Sequence, residues 1–309
     1  MKTKDGNIGK KIGNFTFIKN LALNSASNAL FYVATNKEKS SFIAKMIPIS
    51  NVDQSTSKKL LEETQIAQII IHAPHPNIVN AVDILRTKQN LYVFYEYCEL
   101  GTLANYLNSN NELLPENFAL MLLDDICKGF IELYKNKIMH RNINTNNIFL
   151  TRDIATQRIV AKLTIFEECK LSGSDLNDVK FDDSIYTSMF SSPEQLDAKP
   201  YNYQAGIYSI GMVLYVLLFK CFPMNMKTKE GLKQLLMKGG SIVDITRRTL
   251  NSSTHEFLVS SLQYDPNSRM TVEGLSKEEL LLNSNHWMKT STECKIMEVK
   301  STFTDNNKN

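Results

Sequence analysis

Eight consecutive residues, His140-Arg141-Asn142-Ile143-Asn144-Thr145-Asn146-Asn147, run into the apolar Ile148-Phe149-Leu150. Alone they read as an asparagine-rich turn entering a short strand. Asparagine amides donate and accept hydrogen bonds, but none takes up a proton as a carboxylate does. Such a loop can position groups; it lacks a general base. A second candidate is Lys45 in Ser41-Phe42-Ile43-Ala44-Lys45-Met46-Ile47. A lone strand lysine is commonly an exposed edge charge, yet this one has apolar residues on both sides. An acid, Glu62 or Glu63, follows at a spacing that lets it face the lysine. Such a pair can be a purely structural tie between strand and helix.

Regular elements must hold these groups. Phe15 to Ala34 reads strand, turn, strand, and residues 1–14, rich in Lys, Gly and Asn, read as a flexible lead-in. Ser55-Thr56-Ser57 offers caps for a helix whose Leu60, Ala67, Ile70 and Ile71 recur at helical spacing. Pro115-Glu116 opens a long amphipathic helix with Phe118, Leu122, Ile126, Phe130 and Leu133 on one side. Ile210 to Phe219 is too short to span a bilayer and reads as a buried helix. Residues 288–309 are polar and read as a tail.

The loop at 140–147 closely resembles the catalytic loop of eukaryotic protein kinases, H-R-D-L-K-P-x-N. His140, Arg141 and Asn147 fall on family positions, while Asn142 stands for the Asp and Asn144 for the Lys. Other kinase motifs follow in order. Asn24, Ala26 and Ala29 take the three glycine positions of the phosphate loop, and Lys45 resembles the lysine of V-A-I-K, with Glu63 favoured as its acid. His75-Pro76-Asn77-Ile78-Val79 is a familiar kinase phrase. Tyr95 matches the gatekeeper, and Glu96 to Cys98 match the hinge that offers backbone groups to adenine. Ile165-Phe166-Glu167 stands for D-F-G, and Ser192-Pro193-Glu194 for A-P-E. Gly206 sits where an Asp anchors the next helix, and Arg269 is the expected buried partner of Glu194. The resemblance spans roughly Phe15 to Trp287. It is nearest the serine/threonine kinases and implies an α+β, bilobal fold. Its domain would run 15–287, with a β-rich lobe (15–95), a hinge (96–99) and a mainly helical lobe (100–287).

The departures fall on the chemistry. Asn142 cannot serve as the base, a loss worth roughly 10²–10⁴ in rate. Ile165 offers no oxygen to Mg²⁺, which takes hard oxygen ligands. Asn144 removes the charge that would face the γ-phosphate, and Glu167 or Glu168 would have to stand in for the lost metal ligand. Phe31, Ile43 and Phe149 put three bulky side chains around the purine position, where they would plug it. Gly206 implies a loop held less tightly. His140, Phe166 and Ala67 preserve an internal spine. Arg141 faces either a phosphate on Ser184, Tyr186, Thr187 or Ser188, or the acids Asp175, Asp178, Asp182 and Asp183.

Composition sets the remaining bounds. At 309 residues with 43% hydrophobic content the chain can bury a large core, and a net charge of +3 argues for neither nucleic acid nor membrane partners. Five scattered cysteines read as reduced thiols, and no secretory leader is visible, which together point to the cytoplasm. The expectation is a pseudokinase that binds a protein partner, such as an active kinase or another signalling protein. It would use no Mg²⁺, and its binding of ATP is open. The alternatives are an atypical active serine/threonine kinase and a metal-independent ATP sensor.

Overall fold

β-branched and aromatic residues alternating between short turns build the first part of the chain. The computed structural model describes residues 5–21, 29–50, 53–164, 168–172, 188–223, 231 and 249–277. The chain divides into two compact units, Met1–Cys98 with Ile165–Leu171, and Glu99–Thr164 with Ser172–Asn309.

The first unit holds an antiparallel sheet of β1 (Lys11–Ile12), β2 (Phe15–Leu21), β3 (Leu30–Thr35), β4 (Ser41–Pro48), β5 (Ala81–Arg86) and β6 (Asn90–Glu96), ordered β1-β2-β3-β4-β6-β5. Tyr32, Ala44 and Phe94 lie opposite one another across β3, β4 and β6. They join Phe15, Phe17 and Tyr92 in an aromatic core, with Phe15 stacked on Phe94 (ring centroids 3.8 Å apart) and Phe17 on Tyr32 (4.7 Å). Side chains alternate across a strand, so Phe31, Ile43, Lys45, Val93 and Tyr95 share the opposite face. All five are buried there.

Helix α1 (Gln54–His72) covers this second face with Ile66, Ala67 and Ile70, while Leu60 and Ile71 are only half-buried. Its cap is Asp53 and not the serine–threonine run after it. Asp53 Oδ1 accepts the Thr56 N–H at 2.8 Å, which moves the helix start upstream. The helix stops at Ala73 because Pro74 disfavours helical backbone in the residue before it.

The lead-in expected over 1–14 is structured from residue 5 onward. A 3₁₀ turn (Asp5–Asn7) and β1 pair this segment with β2, and Asn7 Nδ2 donates to the Tyr32 hydroxyl at 2.9 Å. Gly13, at φ +58°, and Asn14 form the two-residue turn joining Ile12 to Phe15. The aromatic core supplies what a polar segment alone lacks, an apolar surface to pack on.

In the second unit, α2 (Leu103–Ser109), α3 (Glu116–Lys135), β7 (Ile138–Met139), β8 (Ile148–Arg152) and β9 (Ile159–Leu163) lead up to and away from the asparagine loop. β8 and β9 form an antiparallel hairpin. β10 (Lys170–Leu171) belongs to the first unit. Then come α4 (Pro193–Leu196), α5 (Tyr203–Phe219), α6 (Ser252–Ser261) and α7 (Val272–Lys277). Helix α5 is buried on nearly every side, as its apolar run implies. Arg269 and Arg158 each tie a buried carboxylate in this unit. Arg269 reaches Glu194 through two bonds (2.7 and 3.1 Å), stacks over Tyr208 and donates to the carbonyls of Gln204 and Gln263. Arg158 grips Asp125 with two bonds of 2.9 Å, and the Ala161 N–H adds a third at 3.0 Å.

Removing one partner of a buried pair strands the other charge, whereas removing both is far cheaper. Arg269→Met should therefore cost about 3–5 kcal/mol and roughly 10 °C of melting temperature. Adding Glu194→Gln should recover part of that loss, as read by calorimetry.

Candidate functional site

Candidate site residues fall in both units. In the first, Phe31 lies directly across from Lys45, and Ile43 across from Tyr95. Lys45 is 0% exposed, and its Nζ meets Glu63 Oε1 at 2.5 Å. The neighbouring Glu62 faces elsewhere, its Oε1 accepting the Leu171 N–H at 2.9 Å. Successive helical residues point roughly 100° apart, so adjacent acids can serve two partners. One holds the sheet lysine and the other holds β10. The second role went unread in the sequence, although two acids in a row were its signal.

Ala29 is buried at the start of β3, and Tyr95 is buried in β6. Glu96 donates its N–H to the Asn80 carbonyl (3.0 Å), and its carboxylate accepts the Asn80 backbone and side-chain amides (2.7 and 3.0 Å). The Glu96 side chain is thus a structural cap for the turn at Asn80. Cys98 is buried at the end of this unit. Asn24, Ala26, Ile165, Phe166, Glu167, Ser184, Tyr186 and Thr187 lie outside the described residues, as do Asp175, Asp178, Asp182 and Asp183.

In the second unit the loop leaves β7 and turns sharply at Arg141, whose φ of +68° is uncommon for a residue with a side chain. Buried His140 accepts the Asn142 N–H at Nδ1 (3.3 Å). Burial pushes its imidazole down from 6.5 to about 4, against an opposing hydrogen bond to the Thr164 main chain. Beyond it the asparagines bond to one another. Asn144 Nδ2 donates to Asn142 Oδ1 at 2.7 Å and to the Asn142 carbonyl at 3.3 Å. Asn147 Nδ2 donates to that same carbonyl at 3.0 Å, and the Asn146 N–H reaches Asn144 Oδ1 at 2.9 Å. The Thr164 N–H closes the web on the Asn147 carbonyl at 3.1 Å.

The slack loop expected from Gly206 is therefore replaced by one with many ties. Gln195 Nε2 donates to the Arg141 carbonyl (3.3 Å), and Arg141 Nε donates to the Tyr201 hydroxyl (3.0 Å). Neither tie was read from the sequence, since both partners lie more than fifty residues downstream. Phe149 is the second residue of β8, buried, with its backbone bridged to Thr102. Glu194 and Arg269 meet as described above.

The side chains at 142, 144 and 147 are neutral amides. Asn142 Oδ1 already accepts a hydrogen bond and has no proton affinity to offer at neutral pH. Among the described residues no three His, Cys, Asp or Glu side chains gather as metal ligands. No described helix is long and apolar enough to cross a membrane.

His140 gives the site a pH signature. Its folded value lies below its unfolded one, so between pH 6.5 and about 4 the unfolded chain binds the extra proton. The stabilisation is whole above pH 6.5 and is lost as pH falls towards 4, by on the order of 3 kcal/mol. Stability measured by urea denaturation at pH 7 and pH 4 should converge by that amount between the native chain and His140→Gln.

Comparison with known proteins agrees with this layout of strands, helices and loop. The family model described as protein kinase domain matches residues 26–281. Serine/threonine-protein kinase ppk25 of Schizosaccharomyces pombe is 28% identical over 222 residues, covering 70% of this chain and 49% of that protein. Serine/threonine-protein kinase Nek1 of Mus musculus is 28% identical over 230 residues, covering 74% and 17%. Serine/threonine-protein kinase ULK3 of Xenopus laevis is 25% identical over 258 residues, covering 82% and 53%. The chain spans about half or less of the length of these relatives. A match across most of the chain, on a β-sheet unit with one long helix and a mainly helical unit around an H-R-N loop, places it: the chain belongs to the protein kinase domain family.

Proposed function

We propose that this chain is a pseudokinase, a protein-kinase fold that transfers no phosphate and acts by binding a protein partner. The observation that carries the reading is the 2.7 Å bond from Asn144 to Asn142. It joins the two positions that would remove the substrate proton and neutralise the γ-phosphate, and both are uncharged. Phosphoryl transfer depends on positioned charge, so a neutral pair there removes the basis of the chemistry and keeps the shape. Ile165 supports the same reading, since an aliphatic side chain holds no magnesium. The named relatives are serine/threonine kinases, and the partner proposed here is such a kinase or another cytoplasmic signalling protein.

One observation favours a second reading, a nucleotide sensor working without metal. Lys45 and Glu63 keep their pairing in the buried face of the sheet. Against it, Phe31 and Ile43 crowd that face on either side of Lys45. A thermal melt of the full chain titrated with ATP separates the readings. A ligand at about 100 times its dissociation constant adds roughly 2.7 kcal/mol and several degrees. The pseudokinase reading predicts no shift that requires Mg²⁺. A shift indifferent to Mg²⁺ selects the sensor, and one that needs Mg²⁺ overturns both.

A further inference from the structure

Helices α3 and α5 meet where Phe130 faces Gly206. A Cβ built on Gly206 would stand 2.5 Å from Phe130 Cε2 and 2.9 Å from Cζ, closer than side-chain carbons approach. Gly206 is not among the residues with positive φ, so the backbone does not demand a glycine there; its neighbour does. Phe130 is buried, and its ring stands edge-on to Tyr203 with centroids 6.4 Å apart. Beside the contact lies a water-sized recess of about 10 Å³, lined by Phe130, Gly206, His140, Arg141, Gln195 and Ser209. The turn across this recess is the one that carries Arg141 at φ +68°.

We propose that Phe130 and Gly206 are a matched pair that positions the His140–Arg141 turn. The ring takes the room a side chain at 206 would need, and the turn rests on that ring and the recess wall. Phe130 is a positioning residue: it acts on the asparagine loop through His140 and Arg141. The inference stands on packing alone and is independent of whether the chain binds nucleotide.

The pair makes a change of sign testable. Alanine is normally the better helix residue, so Gly206→Ala should stabilise α5 if nothing opposes it. Here it should lower the melting temperature by about 5 °C, because the added methyl drives into the ring. Phe130→Leu deletes the two atoms that would be met, and in that background Gly206→Ala should raise the melting temperature; Phe130→Met serves the same end if the leucine variant folds poorly. Positioning has its own readout in amide hydrogen exchange. Gly206→Ala should speed exchange at Asn142, Asn146 and Asn147 by about tenfold relative to Leu214 in the core of α5, and Phe130→Leu should cancel the excess. A stabilising Gly206→Ala in the native chain would overturn the proposal, and so would equal acceleration at the loop and at Leu214.

Discussion

A hydrogen bond between two amides, Asn144 to Asn142, governs what this loop can do. An aspartate and a lysine in those positions would be a charged pair, ready to trade one partner for a substrate. Two asparagines satisfy each other without charge, and the Asn147 and Thr164 bonds extend the same logic into β8 and β9. The loop's path is thereby held by uncharged bonds. Shape and reactivity are separable because backbone carbonyls and amides carry most of the loop's bonds.

Burial makes certain charged residues hard to replace. Glu194 with Arg269, Asp125 with Arg158 and Lys45 with Glu63 each bury charge against a partner. Deleting Arg269, Arg158 or Glu63 strands the buried charge of its partner. Asp125 shows the strain of its setting: burial raises its carboxyl above the ordinary range, with Arg158 pulling it back. By contrast Asn142 and Asn144 are uncharged, so replacing either one leaves no orphaned ion.

Much of this was legible in the sequence because motifs in fixed order carry the fold, and short spacings carry local geometry. Lys45 with an acid on the next helix, and Glu194 with Arg269, could be named before any coordinates. Glu63 was favoured over Glu62 as that acid and is the one that pairs, but the role of Glu62 could not be read, since nothing in the text shows where β10 lies. The ordered N-terminal segment went unread for a different reason. Its Gly13-Asn14 turn is a recognised hairpin signal, but the apolar flank that rewards it is built by Tyr32 and Tyr92 far along the chain. Phe130 and Gly206 illustrate the limit further. Phe130 reads as one more stripe residue on an amphipathic helix, and only the crossing of α3 with α5 reveals which atom it excludes.

The most direct test of the account is a turnover assay on the full chain. Labelled γ-phosphate from ATP would be followed onto a generic acceptor protein, with Mg²⁺ and with Mn²⁺, alongside Lys45→Ala. The account predicts no transfer above the Lys45→Ala background under either metal. Transfer by the native chain that Lys45→Ala abolishes would show that the asparagine loop is still working chemistry, and would contradict it.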